Sequence, residues 1–150
     1  MKKVFLLMVV CTLVLLAQKL EIAADEFVAK DSQKQVDFIG NAHVKQGETS
    51  VKAAKITLYF NEDNSTKMYE ATGKVQFHIK RSKADYVGSC QRMQYLPNTQ
   101  QYILRGEVKV VDQKNKRKIA ATRIDINTKT GSFTIKGNKK RAAKLTFDMD

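Results

Sequence analysis

The chain has 150 residues, which is the length of one domain and enough to bury an apolar core. Its 27 lysines and arginines outnumber its 15 aspartates and glutamates, and the net charge of +12 favours an anionic partner. Only two histidines are present, His43 and His78, and no catalytic or nucleotide-binding motif accompanies them. We therefore expect no metal, no cofactor and no enzymatic activity.

The N-terminus has the pattern of a secretory signal peptide. A short basic start, Met1-Lys2-Lys3, precedes the uncharged apolar run "VFLLMVVCTLVLLA" at 4–17. This run is shorter than the ~20 residues that a membrane-spanning helix needs. We predict a signal peptide at 1–17 and a mature domain at 18–150, with retention of 1–17 as a membrane anchor as the alternative. Export argues against nucleic acid as the anionic partner and favours phosphorylated lipid or an anionic membrane surface.

A repeat of about 33 residues runs through the rest of the chain. Four similar segments, "FIGNAHV", "YEATGKVQF", "ILRGEVKVV" and "FTIKGNKK", place glycine at 40, 73, 106 and 137, with spacings of 33, 33 and 31 residues. A second apolar-alternating segment precedes each of them: "AADEFVA", "AAKITLYF", "SCQRMQYL" and "AATRIDIN". Self-similarity at a fixed period indicates stacked supersecondary units.

Both segments of each unit alternate apolar and polar residues, as β-strands do. Period two places two sets of residues each on one face: Tyr69, Ala71, Gly73, Val75 and Phe77, and Ala54, Ile56, Leu58 and Phe60. The connections, such as "NEDNST" and "LPNTQQ", are rich in turn-forming residues. We predict an all-β antiparallel structure of about eight long strands in two facing sheets, with a bend or bulge at each glycine and open edges at both ends.

These tandem segments behind a signal peptide resemble the OstA/LptA family of periplasmic lipopolysaccharide transport proteins. The stretch "VDFIGNAHVKQGETSVKAAKITLYF" at 36–60 has the pattern most completely: a G-N-x-x-V strand, a Q-G turn and an alternating strand opened by alanines. The resemblance covers about residues 20–147 and implies an open-ended, twisted antiparallel β-jellyroll with an apolar groove. After Gly137 the expected valine is replaced within "NKKRAAK", so the fourth unit is incomplete or ends the stack.

The same resemblance implies a function and partners. The function is that of a non-enzymatic periplasmic carrier, which binds the lipid A part of lipopolysaccharide in the groove and bridges the inner and outer membranes. The implied partners are LptC-like and LptD-like membrane proteins, and other copies of the chain stacked head to tail by edge-strand pairing. The C-terminal "KLTFDMD" alternates apolar residues and is a candidate end strand for such pairing.

The apolar residues that the alternation places on the inward face of the strands are the candidates for the lipid-binding groove. They are Phe38, Val44, Ile56, Leu58, Val75, Phe77, Ile79, Tyr95, Val108 and Ile124. Periodicity does not distinguish a groove from a closed core that the same side chains fill. A structural β-repeat scaffold without lipid binding therefore stays open, as does an inner-membrane-anchored, LptC-like component if 1–17 are retained.

Basic residues concentrate in the turns that follow the glycine strands, "KRSK" at 80–83 and "QKNKRK" at 113–118. We predict that these turns lie on one edge of the stack and contact lipid phosphates or an anionic membrane. The residues are Lys80, Arg81, Lys83, Lys114, Lys116, Arg117 and Lys118. The alternative is that they only keep the edge soluble, since lysine is common on exposed edges.

Overall fold

The computed structural model of the chain describes residues 20–82 and 84–149. The predicted signal peptide at 1–17 and Lys83 lie outside these residues. Within them the chain is all-β, as predicted, and forms ten strands: β1 (Leu20–Ala23), β2 (Glu26–Lys30), β3 (Gln35–Gln46), β4 (Thr49–Phe60), β5 (Thr66–Arg81), β6 (Ala84–Leu96), β7 (Gln101–Asp112), β8 (Arg117–Asn127), β9 (Ser132–Lys136) and β10 (Lys144–Phe147). No helix in this part of the chain has the length and apolar composition of a membrane span.

Six long strands, β3 to β8, form consecutive antiparallel hairpins. The strands at both ends of this series are divided. β1 and β2 pair with different halves of β3, and β9 and β10 pair with different halves of β8. The alternation in "KLTFDMD" predicted an end strand, and β10 confirms it.

Three of the four repeated glycines form β-bulges. At Gly40, Gly73 and Gly106 the glycine has φ near +80° and the following residue is also left-handed. The strand register shifts by one residue at each point, which bends the strand. Gly137 is not left-handed and directly follows the end of β9, so the fourth unit ends the stack.

The bulges divide the long strands into two layers. Layer A consists of β2, β9 and segments 35–39, 55–60, 66–72, 92–96, 101–105 and 123–127; layer B consists of β1, β10 and segments 42–46, 49–53, 75–81, 84–90, 108–112 and 117–121. The layers face each other over one apolar cluster to which both contribute. Their margins far from the bulges meet along a line that we call the seam, where Tyr86 of layer B contacts Phe133 of layer A at 5.8 Å between ring centroids.

Candidate functional site

An apolar cavity of about 60 Å³ lies between the layers near the N-terminal end of the stack. Layer B contributes Leu20, Val44, Gln46, Thr49 and Val51, and layer A contributes Ile56, Tyr69, Glu70, Ala71, Met93, Tyr95 and Tyr102. A dry cavity of roughly 150 Å³ is what a benzene-sized guest needs. A hydrocarbon chain therefore enters this interior only if the two layers move apart.

All ten predicted groove residues lie in the interior between the layers, but they do not share one environment. Val44, Ile56 and Tyr95 line the cavity. The other seven are buried and fill the core: Phe38, Leu58, Val75, Phe77, Ile79, Val108 and Ile124. The structure thus brings the set together, and its contact with lipid stays a prediction.

A row of tyrosines lies on the layer A side of the seam. Tyr69, Tyr95 and Tyr102 are cross-strand neighbours, with ring centroids 5.9 Å and 4.4 Å apart along the row. Burial raises the pKa of Tyr102 to about 12, so its hydroxyl is neutral at physiological pH. The row gives the cavity an aromatic wall with hydroxyl groups near the seam.

Tyr69 and Tyr102 are not among the predicted groove residues, although the repeat contained a signal for them. Each lies four positions before a repeated glycine, Gly73 or Gly106, and Phe133 lies four positions before Gly137. In the structure this repeat position falls in one cross-strand row of layer A at the seam. The spacing alone could therefore have grouped them.

A buried ion pair joins β7 and β8 at the seam. The Asp112 carboxylate is 0% exposed and accepts hydrogen bonds from both the Nε and an Nη of Arg117. Asn115 adds its backbone N–H at 3.2 Å and its amide at 3.0 Å. The guanidinium of Arg117 also lies 4.7 Å from the centroid of the Phe133 ring, a cation–π contact across the seam.

Two buried carboxylates make the stability of the protein depend on pH. Burial acts to raise the pKa of Asp112, but the hydrogen bonds from Arg117 and Asn115 outweigh it, so the pKa is lowered. The pKa of Asp37 is lowered in the same way by Gln35, Lys30 and Thr57. A carboxyl group whose pKa is lower in the folded protein than in the unfolded chain, where it is about 3.9, stabilises the fold at pH values above about 3.9. This contribution is lost as the pH falls through the folded-state pKa.

We therefore expect the urea midpoint to be steady near neutral pH and to fall below about pH 4. Urea titrations followed by circular dichroism at a series of pH values measure this. Replacing Asp37 by asparagine removes one of the two titrating groups, so the variant should lose less stability in acid than the wild-type protein does. An equal loss in both proteins would contradict this assignment.

The predicted basic edge divides into three environments. Arg117 forms an ion pair with Asp112. Arg81, the last residue of β5, lies on the inward face of its strand together with Ile79. Lys80 faces outward and pairs with Glu48 at 3.7 Å. The remaining described members, Lys114, Lys116 and Lys118, are exposed at the turn between β7 and β8 or beside it. Contact of the set with lipid phosphates or an anionic membrane stays a prediction. Because Lys80 faces away from the interior, its part of that prediction concerns a membrane surface and not a ligand held between the layers.

The two ends of the stack expose apolar side chains. Phe27 in β2 is 59% exposed, and Phe147 in β10 is 53% exposed. Leu20 and Leu145, on the end strands β1 and β10, are also exposed. Each end thus combines an open strand edge with apolar surface, which are the features of a surface that pairs with another chain.

The cysteine of the predicted mature domain is a packed thiol. Cys90 is buried in β6, and burial raises its pKa to about 12. A thiol of this kind is protonated at neutral pH and is a poor nucleophile. The geometry around Cys90 therefore indicates packing.

Together these features define an open-ended, two-layered β-jellyroll with an apolar interior. A family profile described as "LptA/(LptD N-terminal domain) LPS transport protein" matches residues 21–132, and the chain belongs to this family. Comparison with curated protein sequences gives no match.

A solved structure of similar fold is that of LptH from Pseudomonas aeruginosa, described as the LptA-homologous periplasmic component of the conserved lipopolysaccharide transport device. The similarity has a TM-score of 0.75 and covers 88% of this chain and 96% of that one, at 15% identity. At this identity the likeness shows the fold, and the predicted β-jellyroll is confirmed.

Proposed function

We propose that the chain is a non-enzymatic periplasmic carrier that holds the acyl chains of lipopolysaccharide between layers A and B. Family membership supports the substrate class. The main structural support is that the layers meet at the seam through side chains. Among the residues described, no backbone hydrogen bond joins them there. The layers can therefore part at the seam, with the glycine bulges as hinges, without breaking a strand ladder.

The energetics favour a carrier that covers the hydrocarbon. Leaving a methylene in water costs ~0.8 kcal/mol, so one acyl chain of about 12 carbons costs of the order of 10 kcal/mol. Opening the seam exposes the apolar side chains that line it, and an inserted acyl chain would cover them again. The predicted groove residues supply this surface, beginning with Val44, Ile56 and Tyr95 at the cavity.

We propose further that the two ends of the stack join partners by edge-strand pairing. The exposed apolar side chains at β1, β2 and β10 lie beside open backbone edges, and new strands added there would bury them. The partners would be an LptC-like protein at one end, an LptD-like protein at the other, and further copies of the chain between them. Such an assembly would bridge the inner and outer membranes.

Periplasmic location follows if 1–17 act as a signal peptide, either cleaved or retained as an inner-membrane anchor. Sequencing the N-terminus of the exported protein separates the two, because a start near Gln18 or Lys19 excludes the anchored, LptC-like component. A structural scaffold is the second candidate function. It is favoured by the seven predicted groove residues that fill the core.

Photo-crosslinking in living cells distinguishes the carrier from the scaffold. We expect a photoreactive residue at Val44 or Tyr95, which line the cavity, to crosslink to lipopolysaccharide. Lys45 and Gln94 are matched controls, because each is the chain neighbour of a test position and points to the opposite face of its strand. Crosslinks from the controls alone, or from none of the four positions, would favour the scaffold.

A further inference from the structure

Arg81 is a cationic side chain on the inner face of layer B. It is the last residue of β5 and continues the inward alternation of Val75, Phe77 and Ile79, which are all buried. Its guanidinium makes side-chain hydrogen-bond contacts with the hydroxyls of Tyr95 and Tyr102 across the seam. Both tyrosines line the apolar cavity, so Arg81 lies where the cavity meets the seam.

The charge of Arg81 is not compensated by a carboxylate. Its Nε is buried and has no hydrogen-bond partner, and none of the described acidic residues forms an ion pair with it. The groups that face it from layer A, Tyr95 and Tyr102, are neutral. Arg117, the other arginine at the seam, forms an ion pair with Asp112. The contrast matters because Arg81 is half-buried, and a cation that is partly withdrawn from water without an anionic partner is costly to the fold.

We propose that Arg81 binds a phosphate monoester of an amphiphile whose hydrocarbon chain lies between the layers. The proposal rests on the proposed function, because it assigns a headgroup contact to the same interior site. Guanidinium groups bind phosphate through paired charge-assisted hydrogen bonds, and the unpartnered Nε supplies one of the donors. With the phosphate at the seam, the hydrocarbon chain of the amphiphile would extend into the apolar space behind Tyr95 and Tyr102.

The neighbouring residue offers a matched control. Lys80 and Arg81 are adjacent in β5, but Lys80 points outward, is exposed and pairs with Glu48. Arg81→Gln and Lys80→Gln therefore remove the same formal charge from the same strand end, on opposite faces. A general electrostatic effect would change phosphate binding similarly in both variants, whereas a contact at the seam would change it only in Arg81→Gln.

The test is calorimetric titration of monomeric dodecyl phosphate and of neutral dodecyl maltoside into the full chain. We expect the wild-type protein to bind dodecyl phosphate more tightly. Arg81→Gln should weaken dodecyl phosphate binding about tenfold without changing dodecyl maltoside binding, and Lys80→Gln should change neither by more than about twofold. Arg81→Lys, which keeps the charge but loses the planar fork, should give an intermediate affinity.

The outcomes separate this proposal from the one on which it rests. If the wild-type protein binds neither amphiphile, the proposed carrier function fails. If it binds both equally, or if Lys80→Gln weakens phosphate binding as much as Arg81→Gln, the carrier function stands and the assignment of Arg81 is overturned. Circular dichroism checks that the variants are folded. If Arg81→Gln does not fold, an unchanged affinity for dodecyl phosphate in Arg81→Lys would overturn the assignment.

Discussion

Replacing Asp112 by alanine is expected to lower the free energy of unfolding by about 3 kcal/mol. The substitution leaves Arg117 without its counter-ion, next to an apolar interior. It also removes the acceptor for the backbone N–H and side chain of Asn115, which organise the turn between β7 and β8. The value lies at the low end for broken buried pairs, because the side chain of Arg117 is 22% exposed and keeps some solvent contact.

Urea unfolding at pH 7, followed by circular dichroism, measures the loss. The matched control is Asp125→Ala, because Asp125 pairs with Arg123 through similar hydrogen bonds on the outer face of layer A. We expect a much smaller loss there, since exposed pairs contribute little. Replacing Asp112 and Arg117 together by leucine and methionine should restore most of the stability. A loss for Asp112→Ala no larger than for Asp125→Ala would show that the buried pair does not stabilise the seam.

The sequence predicted the repeat architecture because the glycines mark it directly. A glycine in register in each unit predicted bulges, and Gly40, Gly73 and Gly106 form them. The prediction that Gly73 lies on the inward face was wrong, since Gly73 is exposed and an added Cβ would point at Ala54, which is exposed too. The prediction that Ala54 shares a face with Ile56 was wrong, since Ala54 is exposed while Ala53 is buried. At the bulge of β5, two residues of β4 lie opposite three residues of β5. The inward–outward alternation of side chains along β4 therefore shifts by one position. The cause lies in the neighbouring strand, and the pattern of β4 alone does not reveal it.

The interior could be predicted from the sequence only in part. Period two correctly placed the ten predicted groove residues between the layers, but the position of the cavity depends on how side chains of both layers meet. Arg81 was assigned to a basic edge because it lies in the cluster "KRSK". The alternation of Val75, Phe77 and Ile79 extends to Arg81 and places it inside, while Lys80 lies outside. For Arg81, the inward–outward alternation along the strand predicted the position of the side chain better than the local concentration of charge did.

Replacing Gly73 by alanine is expected to lower the free energy of unfolding by about 3 kcal/mol, through two separate effects. Gly73 has φ +83°, where a residue with a Cβ is strained by roughly 1–3 kcal/mol. An added Cβ would also lie 2.7 Å from the Cβ of Ala54 on the neighbouring strand. Because both atoms belong to short, rigid side chains, relief requires the strands to separate at the bulge.

Two further variants divide the loss between its causes. Gly131 has a similar φ of +76°, but an added Cβ there meets no atom within 4 Å, so Gly131→Ala should show the backbone strain alone. In the Gly73→Ala background, Ala54→Gly removes the clash and should recover the part of the loss that Gly131→Ala does not show. Equal losses for Gly73→Ala and Gly131→Ala would mean that the strands already have room at the bulge. The repeated glycines would then be explained by their backbone conformation alone, and the close contact between β4 and β5 would not constrain the hinge between the layers.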